Sequence, residues 1–386
     1  MKVAITGGAG FIGRHVVSAL LKLKQVRAIK VLDSFDDQVH DSEAVDHFVA
    51  EFPGVKLRVG DVCNKSDVMW LIDQADVVIH LAAQTGTGQS MYEPVRYTHD
   101  NVLGTANLLQ CLTESKRVLK KFILASSRSV YGEGQYEACG RCLTQPANVT
   151  LRSQQNMENG IFDPVCSKCG NTLKSAATRE CCFKAPLSYY AETKLIQERQ
   201  VSLYNKRLFE ELVIFRFQNV YGEGQSLNNP YTGILAIFST LAKANSEINI
   251  FEDGLESRDF VHVSDVASTI GSAIVCPGNT FDGIFNLGTG VAVSVIQVAE
   301  SISKYFNSSS VLGISGDFRV GDIRHNYADV ELLNSSGIKT GDFIPFDVGL
   351  LRFLESISNI SSNTDGYIQS IAELKNAGMF ISAKKH

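Results

Sequence analysis

Tyr190-Ala191-Glu192-Thr193-Lys194 sets a phenol and an ammonium four residues apart. On a helix that spacing puts both on one face. A tyrosine of ordinary pKa, ~10, is a poor base near neutrality. A neighbouring ammonium stabilises the phenolate and lowers that pKa. Such a pair can move a proton to and from a hydroxyl. Tyr-x-x-x-Lys is common by chance, so its weight rests on two other stretches. Ser126-Ser127-Arg128-Ser129-Val130-Tyr131-Gly132 brings hydroxyls to the end of an apolar run. Thr6-Gly7-Gly8-Ala9-Gly10-Phe11-Ile12-Gly13 ends another.

In that second stretch Gly8, Gly10 and Gly13 fit G-x-G-x-x-G, while Gly7, Gly10 and Gly13 fit G-x-x-G-x-x-G. Glycines let backbone approach a pyrophosphate, whose charge then faces the N-terminus of the following helix. Asp33, 20 residues after Gly13, stands where an acid binds adenosine ribose hydroxyls. No Lys or Arg lies in residues 34–39 to receive a 2′-phosphate, which favours NAD over NADP. Asp61 follows a third apolar run; taken alone it is equally an ordinary turn acid.

The cysteines suggest a different chemistry. Cys139-Gly-Arg-Cys142 and Cys166-Ser-Lys-Cys169-Gly170 are two knuckles with 23 residues between them. Four thiolates so spaced can hold one tetrahedral Zn²⁺. The gap is slightly longer than the usual ribbon spacing. Gly170 permits a tight turn around a metal. Cys181 and Cys182 are rival ligands, but adjacent cysteines chelate one ion poorly. The alternative is four free thiols in a loop.

The elements that position these groups follow from periodicity. Residues 2–6, 27–32, 57–59, 77–81 and 122–125 read as strands. From Phe11, apolar residues at 12, 16, 17, 20 and 23 fit one helical face, and 102–112 reads as a helix. Strands alternating with helices predict an α/β fold, a parallel sheet wound on both faces. Ligands bind at the strand C-termini of such sheets. The pattern breaks near Gly132; residues 133–186 hold six cysteines and little periodicity. A helix is expected over 188–207 and a strand over 212–217. The expected organisation has four parts. Residues 1–132 and 187–218 form a dinucleotide-binding domain, with a return segment at 259–285. Residues 133–186 form the cysteine-rich insertion. Residues 219–258 and 286–355 form a smaller α/β substrate domain. Residues 356–386 form a linker, a short helix and a tail.

Composition narrows the function class. The 386 residues suggest two or three domains, long enough to bury a full core without staples. Lys plus Arg is 36 against 41 Asp plus Glu, a net charge of −5, which argues against nucleic-acid binding. No run approaches the ~18 apolar residues of a membrane helix. Glycines fall where a signal peptide needs its apolar core, so a cytoplasmic protein is expected. Thiols stay reduced there, which favours metal ligation over disulfides.

Together these motifs resemble the extended short-chain dehydrogenase/reductase family, in its nucleotide-sugar epimerase/dehydratase branch. The resemblance covers residues 1–132 and 186–335. It also rests on His80-Leu81-Ala82-Ala83, Asn101-Val102-Leu103-Gly104-Thr105, Asn219-Val220-Tyr221-Gly222 and Arg258-Asp259-Phe260-Val261-His262. It implies that Ser127 is the catalytic hydroxyl, Tyr190 the acid/base, and Lys194 the residue that binds the cofactor ribose and tunes the tyrosine. It implies a cofactor wall of Leu81, Ala82, Ala83 and Asn101, with Asp61 and Val62 at the adenine. It matches Asn219, Arg258 and Arg319 to diphosphate contacts, and Asp322 to the acid that receives the nucleoside ribose. It implies a homodimer through the helices bearing Tyr190 and residues 102–112. His262, in an alternating apolar pattern, reads as a core histidine.

The reaction expected is 4-epimerisation of a nucleotide-diphosphate sugar through a 4-keto intermediate, with NAD regenerated each cycle. The 4,6-dehydratases of this branch carry Asp-Glu directly after the Ser/Thr; here Arg128 and Ser129 stand there. The decarboxylases place Glu where Ser129 stands. From Ser127 to Tyr190 is 63 residues, longer than is typical of the family. The insertion, and residues 229–233 (Asn-Pro-Tyr-Thr-Gly), resemble a subgroup that includes dTDP-L-rhamnose 4-epimerases. UDP-glucose or UDP-glucuronate 4-epimerisation and 4,6-dehydration are the enzyme alternatives; an NAD-sensing scaffold is the non-enzyme one. The insertion is expected to act as a zinc-stapled lid at the mouth of the sugar pocket.

Overall fold

The structure is a computed structural model that describes residues 1–142, 147–149, 151–227, 233–276, 282–338, 341–360 and 364–383. Its centre is a seven-stranded sheet, parallel at every pairing. From one edge the order is Gly283–Leu287, Phe209–Phe217, Leu119–Ser127, Val77–His80, Lys2–Thr6, Ala28–Asp33, Lys56–Val59. The central strands are apolar runs because both faces are covered. Side chains alternate between the faces. Val3, Ile5, Val77, Ile79 and Ile123 join a core with the helices Phe11–Leu21 and Val263–Val275. Ala4, Val78, Phe122 and Leu124 join a second core with Lys65–Ile72 and Gly104–Glu114. Chain direction across the sheet reverses between Lys2–Thr6 and Val77–His80, and the crevice at that reversal is where such sheets take ligands.

Several expected elements move at their ends. The strand at 122–125 extends to Leu119–Ser127, which carries Ser127 itself on the strand end. The helix expected at 102–112 is Gly104–Glu114, entered through a π-helical turn, Thr98–Leu103, that contains Asn101. The helix bearing Tyr190 is Tyr189–Ser202, capped by Ser188, whose side chain accepts from the Ala191 N–H. It ends at Ser202 rather than 207, with Leu203 as its C-cap, and the chain turns again at Lys206, where φ is +62°.

A smaller unit has its own core, formed by Leu235, Phe238, Phe260, Val298, Ile302 and Phe353 among others. Its sheet runs Asn219–Tyr221, Ser257–His262, Ala292–Ser294, with His325–Asn326 alongside Ser257 and Arg258. The return segment therefore divides. Ser257–His262 stays in the small sheet, and Gly283–Leu287 rejoins the large one. The insertion is a three-stranded antiparallel patch with Gln135–Tyr136 between Ala147–Asn148 and Ser175–Ala176. Its two ends adjoin at Gly132, which has φ +68° and packs so close to the Ala185 carbonyl that no Cβ fits. The terminal segment is more than a tail. Helix Asp365–Asn376 leads to Phe380–Ile381, which pairs antiparallel with Phe318–Arg319.

Candidate active site

One cavity of about 840 Å³ runs between the two units and collects most of the residues singled out in the sequence. Gly7, Gly10, Phe11, Ile12 and Gly13 line one end with Asp33, Asp61, Val62, Leu81, Ala82 and Ala83. Ser127, Tyr190 and Lys194 line the middle, and Asn219, Arg258, Arg319 and Asp322 the other end.

The first end is built by close approach. Gly7 lies at φ +68°, and a Cβ there would meet the Ala82 nitrogen at 2.7 Å. A Cβ on Gly13 would collide with the Gly7 carbonyl and the Gly8 backbone. Gly10 caps helix Phe11–Leu21 without any side-chain hydrogen bond, so the helix opens with N–H groups toward the cavity. Asp33 accepts from the Ala9 N–H at 2.9 Å and the Phe35 N–H at 3.1 Å, which ties the glycine turn to the next strand end. Asp36 lines the same end and pairs with Arg96 at 2.8 Å. Burial would raise the Asp36 carboxyl, but the Gln38 N–H and Arg96 outweigh it and hold it low. These residues fit a dinucleotide such as NAD.

Asn101 is placed elsewhere than expected. It is fully buried behind the wall, where its side chain accepts from the Gln84 N–H at 2.7 Å and donates to the Thr193 hydroxyl at 2.9 Å. It fixes the loop after Val77–His80 rather than lining the cavity. His80 is likewise structural: its ring meets Thr6 Oγ1 at 2.7 Å and Thr105 Oγ1 at 2.9 Å. Burial, then the charge of Lys194, pushes His80 down to about 3, so it stays neutral.

At the middle, Tyr190 stands beside Ser127. Contrary to the lowering expected from a neighbouring ammonium, burial raises the Tyr190 phenol on balance; the Ser127 hydroxyl and the charge of Arg128 pull the other way, and Lys194 is not among the charges acting on it. Ser127 also accepts from the Ser129 N–H at 3.1 Å, which fixes its rotamer. Lys194 donates to the Ala125 carbonyl at 2.9 Å and is 3% exposed. Burial pushes it down to about 7, with Glu198 opposing. Arg128 lines the cavity and donates from Nε to Asn219 Oδ1 at 3.0 Å. Burial and the nearby Arg258 push it down to about 9. The arrangement can take a proton from a hydroxyl at Tyr190, with Arg128 the charge that favours the phenolate.

At the far end, Asp322 is the hub. Arg319 Nη2 reaches its Oδ2 at 2.6 Å, Arg258 Nη2 its Oδ1 at 3.4 Å, and the Ile323 N–H its Oδ1 at 2.9 Å. Burial alone would raise this carboxyl; Arg319, Arg258 and Arg152 hold it well below the usual range. Arg258 is pinned by the Ser257, Arg324 and Ile323 carbonyls at 2.9, 2.9 and 2.7 Å. His262 is a core residue, 1% exposed, whose ring caps Val263–Val275 and lies 3.0 Å from Glu223.

Several lining residues went unassigned in the sequence, among them three groups that bear on the chemistry or the wall. Arg128 stood in a quoted motif, where it counted only as a missing acid. Glu256, two residues before Arg258, faces the cavity; burial and Glu252 push it up to about 7. Tyr367, Ser370, Ile371 and Leu374 lie on one face of helix Asp365–Asn376. Their i, i+3, i+4, i+7 spacing was the available signal. Residues 229–232 lie outside the described residues; Gly233 lines the cavity.

Cys139, Cys142, Cys166 and Cys169 come together, every Sγ within 4.8 Å of the others. Cys139–Cys142 and Cys142–Cys166 sulfurs are each 3.3 Å apart. A tetrahedron with ~2.3 Å Zn–S bonds has edges of ~3.8 Å, so the set fits that ion. Gly140 and Gly170 lie at φ +69° and +72°, the left-handed turns of the two knuckles. Cys182 instead meets Gln135 Oε1 at 2.5 Å, and Cys181 is exposed. The described part of the insertion shows no lid: none of its described residues lines the cavity, and residues 143–146 and 150 lie outside the described residues. It packs behind the Asp322 turn, with the Thr178 N–H on the Tyr327 carbonyl at 2.8 Å and the Gly134 N–H on the His325 carbonyl at 2.9 Å.

The family described as "NAD dependent epimerase/dehydratase family" matches residues 3–150 and 167–288. The chain is 36% identical over 332 residues to a dTDP-L-rhamnose 4-epimerase of Burkholderia thailandensis, covering 85% of this chain and 87% of that one. It is 28% identical to a mouse dTDP-D-glucose 4,6-dehydratase, covering 92% and 88%. A UDP-glucuronic acid 4-epimerase of Bacillus cereus, solved with UDP-glucuronic acid and NAD, superposes with a TM-score of 0.74 at 24% identity, covering 94% of this chain and all of that one. That likeness concerns the fold. No helix among the described residues is long and apolar enough to cross a membrane.

Proposed function

The chain belongs to the NAD dependent epimerase/dehydratase family, and on that premise we propose that it inverts C4 of a nucleotide-diphosphate sugar. The observation that carries the reading is the middle of the cavity. Ser127, Tyr190 and Lys194 meet there, Arg128 stands beside them, and no carboxylate follows Ser127. A dehydration needs a further acid/base pair to expel water; a 4-epimerisation needs none.

NAD bound along the Gly7–Gly13 turn, with Asp33 at its ribose, would supply hydride acceptance and return at C4. Tyr190 takes the C4 hydroxyl proton and gives it back. Ser127 shares that proton's hydrogen bond and fixes the phenol. Lys194 binds the cofactor ribose, and Arg128 offsets the charge of the phenolate. Asn219, Arg258 and Arg319 receive the diphosphate, which arginine can grip at two oxygens. Asp322 receives the nucleoside ribose. Because the sugar must offer its other face to the same ring, the nucleotide end is the anchor and the sugar turns.

The substrate that this reading favours is dTDP-L-rhamnose. The 36% identity to a relative of that name, over 85% of the chain, supports it. The four thiolates hold a structural Zn²⁺, whose role is to fix the insertion. A homodimer forms through Tyr189–Ser202 and Gly104–Glu114, beside which Leu203 and Leu103 are 80% and 50% exposed. Incubating the protein with dTDP-L-rhamnose, UDP-glucose or UDP-glucuronate and resolving the products tests the activity. The C4 epimer of dTDP-L-rhamnose, without added reductant, is the expected product. Net loss of water identifies a dehydratase and overturns the reading.

A further inference from the structure

Arg152 belongs to the cysteine-rich insertion and is 7% exposed. Its Nε lies 2.9 Å from Glu133 Oε1. Its Nη1 and Nη2 lie 2.9 and 2.8 Å from the two carboxylate oxygens of Glu252. Nη1 also donates to the Phe162 carbonyl at 3.1 Å, and Nη2 to the Asp322 carbonyl at 2.9 Å. That last bond reaches the backbone of the residue whose carboxylate holds Arg319.

The same turn is gripped again two residues later. The Arg324 N–H donates to both oxygens of Glu133, at 3.0 and 2.9 Å. The Arg324 guanidinium, itself 1% exposed, binds Asp163 at 2.8 Å, Glu252 at 3.0 Å and Asp253 at 2.6 Å. Glu133 and Asp163 both come from the insertion, the first six residues before Cys139 and the second three before Cys166. Exposed ion pairs contribute little, but removing one partner of a buried network strands the others in low dielectric. Here Arg152 is the cation between Glu133 and Glu252, and no other element brings a side chain to the Asp322 carbonyl among the bonds described.

We propose that Arg152 is a positioning residue: it presets the turn carrying Arg319 and Asp322, so that the insertion builds the nucleoside-diphosphate clamp from behind. The inference rests on the reading of that end of the cavity given above. It assigns to the insertion a role in substrate affinity without contact to substrate. The clamp is then paid for on folding rather than on binding, which is the advantage of preorganisation.

The experiment uses the full chain with its bound NAD. The affinity of dTDP and of UDP is measured by calorimetry, and KM and kcat with the accepted nucleotide sugar, for wild type, Arg152→Met and Arg152→Lys. Arg152→Met should weaken nucleoside-diphosphate binding and raise KM by ~10- to 100-fold, the scale of losing bonds to a charged group. Its kcat should stay within ~3-fold and its NAD content should not change, because the interaction acts on binding alone. Arg152→Lys should recover part of the loss. If Arg152→Met does not fold, Arg152→Lys decides: it keeps a cation between Glu133 and Glu252 but loses the fork that reaches Glu252 and the Asp322 carbonyl together, and should raise KM by ~3-fold or more. Unchanged diphosphate affinity in a folded variant overturns the inference alone. So does an equal fall in kcat and NAD content, which marks general loosening. Wild type that binds neither dTDP nor UDP overturns the reading of the site, and this inference with it.

Discussion

From one end of the cavity to its middle, the functional groups sit on strand ends of the large sheet, on the turns just after them, or in the first two turns of a helix. Gly13 closes on Gly7 six residues away, and Tyr190 and Lys194 share one helix face. At the other end, Asp322 and Arg319 sit on a turn held by Glu133, Arg152, Glu252 and Arg324, which are up to 191 residues apart in the chain. The first end is specified by local spacing around a parallel sheet. The second is specified by side chains that meet only after three separate stretches have folded together. The contrast predicts how each end should fail. Damage to the first removes cofactor or chemistry; damage to the second weakens substrate affinity and leaves both in place.

The sharpest test of that contrast is Tyr190→Phe. It removes the proton-transferring hydroxyl and nothing else from the cavity wall. The rate of C4 inversion should fall by ~10²- to 10⁴-fold, the range of a lost general acid/base. Affinity for dTDP, measured by calorimetry, should be unchanged, because the clamp lies at the opposite end. A comparable loss of dTDP binding would show that the two ends are not separable.

What the sequence revealed follows the same division. The parallel sheet, the glycine turn, Asp33 and the Tyr190–Lys194 pair were legible because each is a short-range pattern with one physical cause. The four cysteines were legible for the same reason, since two knuckles announce themselves at i and i+3. Asn101 was misplaced because a motif gives a position in the chain and not a direction for its side chain; the π-turn buries it. The path of the insertion's described residues was hidden for a related reason. The insertion leaves the sheet beside Ser127, but Gly132 at φ +68° and the Glu133–Arg324 bonds send it behind the clamp. Glu133, Arg152 and Arg324 had no local signature at all. A buried charge network is visible only when its partners are in place.

Metal removal is the next test. If zinc fixes the stretches that supply Glu133 and Asp163, stripping it should raise KM for the nucleotide sugar by ~10-fold, as when a buried bond to a charged group is weakened. Bound NAD, read from absorbance after denaturation, should stay at its starting ratio. Metal analysis of the isolated protein should give about one zinc per chain, as one four-thiolate site requires. A ratio near zero in protein purified without chelator removes the zinc reading and leaves four thiols in van der Waals reach.

The smallest effect is expected at the C-terminal helix, which links the two ends. Glu373 accepts from the Tyr92 hydroxyl at 2.8 Å on the cofactor side. Phe380–Ile381 pairs with the strand of Arg319, and the Ala383 N–H reaches Asp317 Oδ1 at 2.9 Å on the clamp side. Between those anchors Ile371 turns to the cavity while Ile368 is 62% exposed. A polar side chain on the cavity face loses apolar contact with a bound sugar and little else. Ile371→Asn should therefore raise KM for the nucleotide sugar by ~3- to 10-fold, the range of one or two buried methylenes. Ile368→Asn, one turn earlier on the outer face, is the matched control and should leave KM unchanged. If the two variants behave alike, the helix is only a brace between the ends; if they differ as expected, it is part of the substrate wall, and substrate affinity depends on both the insertion behind the clamp and the helix across it.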